Sequence, residues 1–294
     1  FLLPSSFFLL PSSFFLLLSF SRVKIMVNHL VISSSTSKLP LKWSPWLVVV
    51  FRFFDALSFS FGTGAMSLEC VVSHLAWKET LILVAVTPFV LILLPMLILF
   101  PCDKMWLKKC RIDTKVTAEV SAMIGLLLAH PTITKVSLYL FACRNINGKR
   151  YLEADFSVDC DDSVLLDTLR WMLGVPMIIL FCVGIPVWYF ARLWVNRNDF
   201  DAVRMQYGFL LSGFKPTRFY WELYNTVRKG FFTATTVLFL PFGARLQIWA
   251  TMALLQLFLA METWGHPHVN PVLNTMEDKA LTLDVFQLFL GEFY

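Results

Sequence analysis

Apolar residues in this chain run in long blocks, with neither the two-residue alternation of a half-buried strand nor one narrow helical stripe. The clearest block is Thr80–Phe100, TLILVAVTPFVLILLPMLILF, which carries no charge. It reaches the roughly 20 residues that a membrane-crossing helix needs. Pro88 and Pro95 predict kinks, which a helix bundle tolerates when neighbours satisfy the freed carbonyls. Further spans are predicted at Val116–Phe141, at Trp171–Trp194, from near Val227 to Pro241–Phe242, at Leu246–Trp264, and from near Ala280 onward. Pro45–Phe61 is apolar enough to cross, yet it holds Arg52 and Asp55 at an i,i+3 spacing that lets them pair on one helix face. It reads either as a span or as a helix lying in the interface.

The ends follow a different pattern. FLLPSSF occurs at 1–7 and again at 8–14. Residues 1–22 read as a low-complexity leader, with Met26 as the start, or as the end of a preceding helix. Residue 1 is Phe, and the apolar stretch Ala280–Leu290 runs to the end without an exit. A fragment truncated at its C-terminus is therefore expected, with 23–294 as one transmembrane domain.

Composition sharpens this picture. Hydrophobic residues make up 57% of the chain and charged ones 15%, against about 45–50% and about 25% in soluble domains. Mean hydropathy is +0.66. The fold class expected is all-α, a polytopic transmembrane bundle of about six to eight helices, which excludes most soluble enzymes. The excess of 25 Lys+Arg over 20 Asp+Glu is too small to indicate a nucleic-acid partner. Its distribution matters more. Basic residues dominate 102–115 and 192–229, whereas acids dominate 143–167. The positive-inside rule puts the first two in the cytoplasm and the third outside. Residues 21–43, basic and without an acid, fall inside if Pro45–Phe61 spans. A plasma-membrane location is expected, with an internal membrane as the alternative.

Cys143 and Cys160 then lie on the oxidising side, where a disulfide between them closes the outer loop. Two free thiols, or a pairing with Cys70, are the alternatives. Cys102 and Cys110 face the cytoplasm, and Cys182 sits within a span. No phosphate-binding loop, nucleophile elbow or zinc-protease motif occurs. His266 and His268 in GHPHVNP read as a polar turn, and Asp159, Asp161 and Asp162 as a solvated acidic surface. No catalytic residues, metal ligands or cofactor are expected. Ionisable residues inside spans are costly and mark functional paths. They make Arg52, Asp55, Glu119 and His130 candidate intramembrane polar residues, with snorkelling as the competing reading for Glu119 and Lys135.

Gly213–Gly230, GFKPTRFYWELYNTVRKG, interleaves aromatic rings with Lys215, Arg218, Arg228 and Lys229. This reads as a short interfacial helix that contacts anionic inner-leaflet lipid, or as an ordinary positive-inside anchor.

Together, CRNINGKRYLEADFSVDC at 143–160, GFLLSGFKPTRFYWELYNTVRKGF at 208–231 and HPHVNPVLNTMEDKALTLDVFQLF at 266–289 resemble elements of one family. VKIMVNHL at 23–30 and SLECVV at 67–72 resemble its earlier helices. The family is the transient-receptor-potential-like C-terminal membrane domain of protist and algal surface proteins, similar in its later helices to polycystin-like and flavin-carrier-like proteins. The chain departs from the pattern at Phe214 and His268, where Tyr is usual. The resemblance implies a TRP-like cation channel or channel-like membrane sensor. A transporter, or a non-conducting anchor of a large cysteine-rich ectodomain, are the alternatives. It also implies that 23–37 belongs to an additional helix and Pro45–Phe61 to an outer-face helix. The partners expected are the bilayer, anionic inner-leaflet lipids, inorganic cations and further copies of the chain in a homo-oligomer.

Overall fold

The computed structural model describes residues 11–36, 39, 41, 43–57, 77–105, 114–195, 211 and 213–293. The elements are α1 (Pro11–Thr36), α2 (Pro45–Leu57), α3 (Trp77–Met105), α4 (Thr114–Tyr139), β1 (Cys143–Ile146), β2 (Lys149–Leu152), β3 (Asp155–Asp159), α5 (Val164–Val195), α6 (Trp221–Leu238), α7 (Ala244–Gly265) and α8 (Pro271–Phe293). The described residues are all-α apart from one small three-stranded sheet. Four helical segments, Trp77–Ile98, Thr117–Tyr139, Val164–Val195 and Ala244–Gly265, are long and apolar enough to cross a membrane.

α3 and α4 pack antiparallel: Leu81 and Val84 join Ile133 and Leu140 in one core, and Gly125 faces Leu91. The other side of α3 leaves Ile82, Val86, Phe89, Leu93 and Leu97 exposed. An apolar surface that extensive suits hydrocarbon rather than water. α5 returns antiparallel to α4, so that Arg192 Nε near its end donates to Glu119 Oε1 at 2.9 Å near the start of α4. Two stretches of α5, Arg170–Gly174 and Ile178–Val183, widen into π-helical turns. Pro176 and Pro186 account for them, because proline returns no N–H to the carbonyl four residues earlier.

Between α4 and α5 the chain forms an antiparallel sheet in the order β1-β2-β3. Asn147 and Gly148, both at positive φ, make the hairpin turn that an Asn-Gly pair favours. Cys143 and Cys160 are joined by a disulfide with a Cα–Cα distance of 6.4 Å. Leu152, Cys160 and Leu166 pack under it against Leu140. Ser163 caps α5 by accepting the Leu166 N–H at 3.2 Å. The Arg150 guanidinium beside Asp161 holds that carboxyl below its usual range, although both groups are exposed.

α6, α7 and α8 form a second group that α1 joins. α7 is antiparallel to α6, as shown by Tyr224 O–H to the Phe258 carbonyl at 2.7 Å. α1 runs parallel to α6 and α8: Lys24 meets Glu222, Ser33 meets Asp284, and Leu41 and Trp43 meet Gly291. Leu41 and Trp43 therefore lie at the opposite end of the bundle from Lys215. Residues 21–36 are thus the body of a helix rather than part of one loop over 21–43, the arrangement expected if Pro45–Phe61 spans, and they agree with the alternative of an additional helix at 23–37. α1 also continues unbroken from Pro11 through residue 22.

Two other boundaries differ from the sequence reading. The expected interfacial helix over Gly213–Gly230 is instead a turn followed by the first half of α6. Gly213 at φ +87 and a single 3₁₀ turn at Pro216–Arg218 reverse the chain before Trp221. α8 begins at Pro271, because Asn270 Oδ1 accepts the Val272 N–H at 2.9 Å and Pro271 fits a first helical position.

Gly265 is a close approach. A Cβ there would lie 2.2 Å from Trp221 Cη2. Gly265→Ala should therefore destabilise the α6–α7 contact by about 1–3 kcal/mol. Thermal unfolding in detergent checks this, and an unchanged midpoint would show that the two helices are not packed there.

Candidate functional site

The inward faces of α1, α6, α7 and α8 are unusually polar. On α8 the buried positions include Leu273, Asn274, Glu277, Leu281, Asp284 and Leu288, which follow one face at helical spacing. α1 contributes Asn28 and Ser33, α6 contributes Glu222, Arg228 and Lys229, and α7 contributes Glu262. Glu277 and Asp284 lie roughly 9 and 20 Å along α8 from Pro271, at a rise of about 1.5 Å per residue. The polar groups thus form a column rather than a ring at one end.

Arg228 is 1% exposed and stands at its centre. Its Nη2 donates to Glu277 Oε1 at 2.6 Å, and its Nη1 lies 3.9 Å from Glu262 Oε2. Trp221 Nε1 donates to the same Glu262 oxygen at 2.9 Å. Lys229 Nζ donates to Asn28 Oδ1 at 3.1 Å, and Lys24 Nζ reaches Glu222 Oε2 at 2.5 Å. Deeper in the column, Asp284 Oδ1 accepts from Ser33 Oγ at 3.0 Å and lies 2.9 Å from His29 Nδ1. Charges this buried persist only when paired, since each unpaired ion costs several kcal/mol. Among the described residues no group of His, Cys, Asp and Glu is arranged to hold a metal ion.

A latch closes one end of the column. Phe214 pairs with His268 as an isolated antiparallel bridge, and their rings stack at 4.8 Å. The Lys215 N–H donates to the Pro267 carbonyl at 2.8 Å, and the Val269 N–H to the Gly213 carbonyl at 2.9 Å. Lys24 Nζ sits 4.7 Å from the Phe214 ring centre. Asn274 Oδ1 accepts the His268 N–H at 2.9 Å, which ties the latch to α8. Phe214 and His268 are thus stacked on each other.

Burial holds the His268 imidazole below its usual pKa; the Lys24 cation adds to this and the Glu277 carboxylate opposes it. A base whose folded pKa is depressed contributes stability that is fully present above its unfolded value, about 6.5, and is lost as pH falls below it. The latch should therefore weaken on acidification through that range. Unfolding temperatures measured at a series of pH values should fall more steeply for the native chain than for His268→Phe. Parallel pH profiles would rule His268 out as the titrating group.

The site residues expected from sequence are distributed unevenly over this geometry. Arg228 and Lys229 do not face lipid headgroups. They lie about two turns into α6 and point inward to Glu277 and Asn28. Lys215 and Arg218 remain at the turn: Lys215 Nζ donates to the His266 carbonyl at 2.7 Å, and Arg218 Nη1 to the Tyr220 hydroxyl at 2.9 Å. Glu119 pairs with Arg192 away from the column. His130 lies on α4, where its Nε2 donates to the Cys182 carbonyl at 2.9 Å. That is the carbonyl that Pro186, four residues on, cannot satisfy. The side chains of Arg52 and Asp55 lie outside the described residues. Sequence reasoning missed Lys24, Asn28, Glu222, Glu262, Glu277 and Asp284, and for the α8 residues the helical spacing was the available signal.

No protein-family model and no solved structure matches the chain. Over 173 residues it is 25% identical to Cysteine repeat modular protein A of Toxoplasma gondii, a match covering 54% of this chain and 6% of that protein. The chain therefore corresponds to a small part of that relative's length.

Proposed function

We propose that this chain is the transmembrane module of a TRP-like cation channel or channel-like membrane sensor. The observation that carries the reading is a convergence. The motifs at 23–30, 208–231 and 266–289, which are distant in sequence and resemble one family, supply Lys24, His29, Glu222, Arg228, Lys229, Glu277 and Asp284 to a single buried column. In this reading α1, α6 and α8 also cross the bilayer, with their charges turned toward one another. With the four more apolar helices this makes seven crossings, and α2 rests on the outer side. A charged column between helices is the arrangement expected of an ion path or of an element that responds to one.

The match to a cysteine repeat modular protein favours a second reading, a non-conducting membrane anchor of a large cysteine-rich ectodomain. Patch-clamp recording from cells expressing the full-length protein separates the two. A cation current that falls at least about tenfold in Glu277→Gln, about 1.4 kcal/mol of lost stabilisation, is the expected result. Saturable solute uptake without current would indicate a carrier, and neither activity would leave the anchor.

A further inference from the structure

A groove of about 450 Å³ lies between α4, α5 and α6, away from the charged column. It runs along the helices. On α5 it extends from Ile178 to Phe190, on α6 from Leu223 to Ala234, and on α4 from His130 to Leu138. At about 1.5 Å per residue, the α5 and α6 walls are roughly 18 and 16 Å long. The lining carries no acid, lysine or arginine. Two of its polar groups are held within the walls: His130 Nε2 donates to the Cys182 carbonyl and Thr134 Oγ1 to the His130 carbonyl at 2.8 Å, while His130 Nδ1 has no hydrogen-bond partner among the described residues. What remains is a hydrocarbon trough with one open side, where Val183, Val187 and Phe231 are more than half exposed.

The origin of the groove is local. Around Ile178–Val183 the π-helical turns displace the α5 backbone. Opposite them Gly230 brings α6 close to His130, where an added Cβ would sit 3.2 Å from its Cε1. One end of the groove reaches a belt of rings and cations. Phe190 packs against Trp194, Trp194 against Phe219, and the Arg218 guanidinium lies 5.6 Å from the Trp221 ring centre. Tryptophan and arginine at a span end mark headgroup depth.

We propose that this groove binds one acyl chain of a membrane phospholipid, with the headgroup at the Trp194–Arg218 end. A long, narrow, uncharged trough fits an extended chain better than a compact solute, and an open side facing between two span-forming helices admits the chain laterally. The inference rests on α4 and α5 crossing the bilayer.

The test uses the chain reconstituted in phosphatidylcholine vesicles that contain a phospholipid with a photoactivatable diazirine on one acyl chain. Vesicle flotation first reports membrane insertion. After irradiation, adducts mapped by mass spectrometry should concentrate on 178–190 and 223–234. Ala234→Trp, which fills the groove, and Val187→Trp, which blocks its exposed side, should each lower those adducts about tenfold, or 1.4 kcal/mol of lost chain contact. Adducts on the exposed face of Trp77–Ile98 should not change. Equal labelling of the groove and that face, or groove labelling indifferent to both variants, means ordinary surrounding lipid and overturns the proposal. So does labelling by a diazirine fatty acid but not by the phospholipid. Failure to float overturns the membrane reading itself, and the groove with it.

Discussion

Arg228→Met should destabilise the chain by about 3–5 kcal/mol, the largest effect expected of any single substitution in the column. The cause is the carboxylates left behind rather than the ion pair removed. Glu277, held by Arg228 Nη2 at 2.6 Å, and Glu262, 3.9 Å from Nη1, are both buried and would lose their shared cation. Lys229 cannot replace it, because its amine is directed to Asn28. Replacing the whole triad, Arg228→Met with Glu262→Met and Glu277→Leu, should recover much of the loss, since a buried ionic cluster is often no more stable than apolar residues of similar volume. Unfolding of the native chain, the single variant and the triple variant in one detergent gives the comparison. If Arg228→Met changed stability by less than about 1 kcal/mol, the value of an exposed pair, Arg228 would not be buried.

The second large effect is expected at the three-stranded sheet. Cys143→Ser with Cys160→Ser removes a bridge between positions 17 residues apart. In the chain-entropy model this costs about 3 kcal/mol. The loss should be confined to the sheet and the start of α5, because Leu152, Cys160 and Leu166 pack there and the column lies elsewhere. Arg170 adds to the local effect: its Nε donates to the Leu140 carbonyl at 2.8 Å, and its Nη2 lies 3.0 Å from Cys143 Sγ. Amide exchange should rise strongly over 143–166 and little over 221–238. A uniform rise would mean that the sheet and the bundle unfold as one unit.

The apolar helices were legible in the sequence because membrane burial imposes length and composition directly. Thr80–Phe100 and Leu246–Trp264 lie within α3 and α7 to within a few residues. α6 and α8 were read too late in the chain for one physical reason. Their first two turns carry the ionisable residues that the helices bury against each other, so a search for apolar runs starts only near Val227 and near Ala280. The Asn270–Pro271 cap was a local signal that would have placed the start of α8. The inward direction of Arg228 and Lys229 was not legible at all. A basic residue beside aromatics looks the same whether its partner is a lipid phosphate or a carboxylate on a helix 49 residues away. His130 stood out as a polar residue in a span, but its partner depends on Pro186 on another helix, which only the packing discloses.

In the proposed arrangement α1, α6, α7 and α8 enclose one polar column inside the membrane. Oxidative cross-linking between α1 and α8 tests it most directly. Ser33 Oγ and Asp284 Oδ1 are 3.0 Å apart, deep in the column. With Ser33→Cys and Asp284→Cys introduced into the full-length protein, mild oxidation in native membranes should join the two positions. Neither cysteine should react with a membrane-impermeant maleimide before the membrane is dissolved. No cross-link, together with maleimide labelling of both cysteines in intact membranes, would place α1 and α8 apart in water and contradict the column.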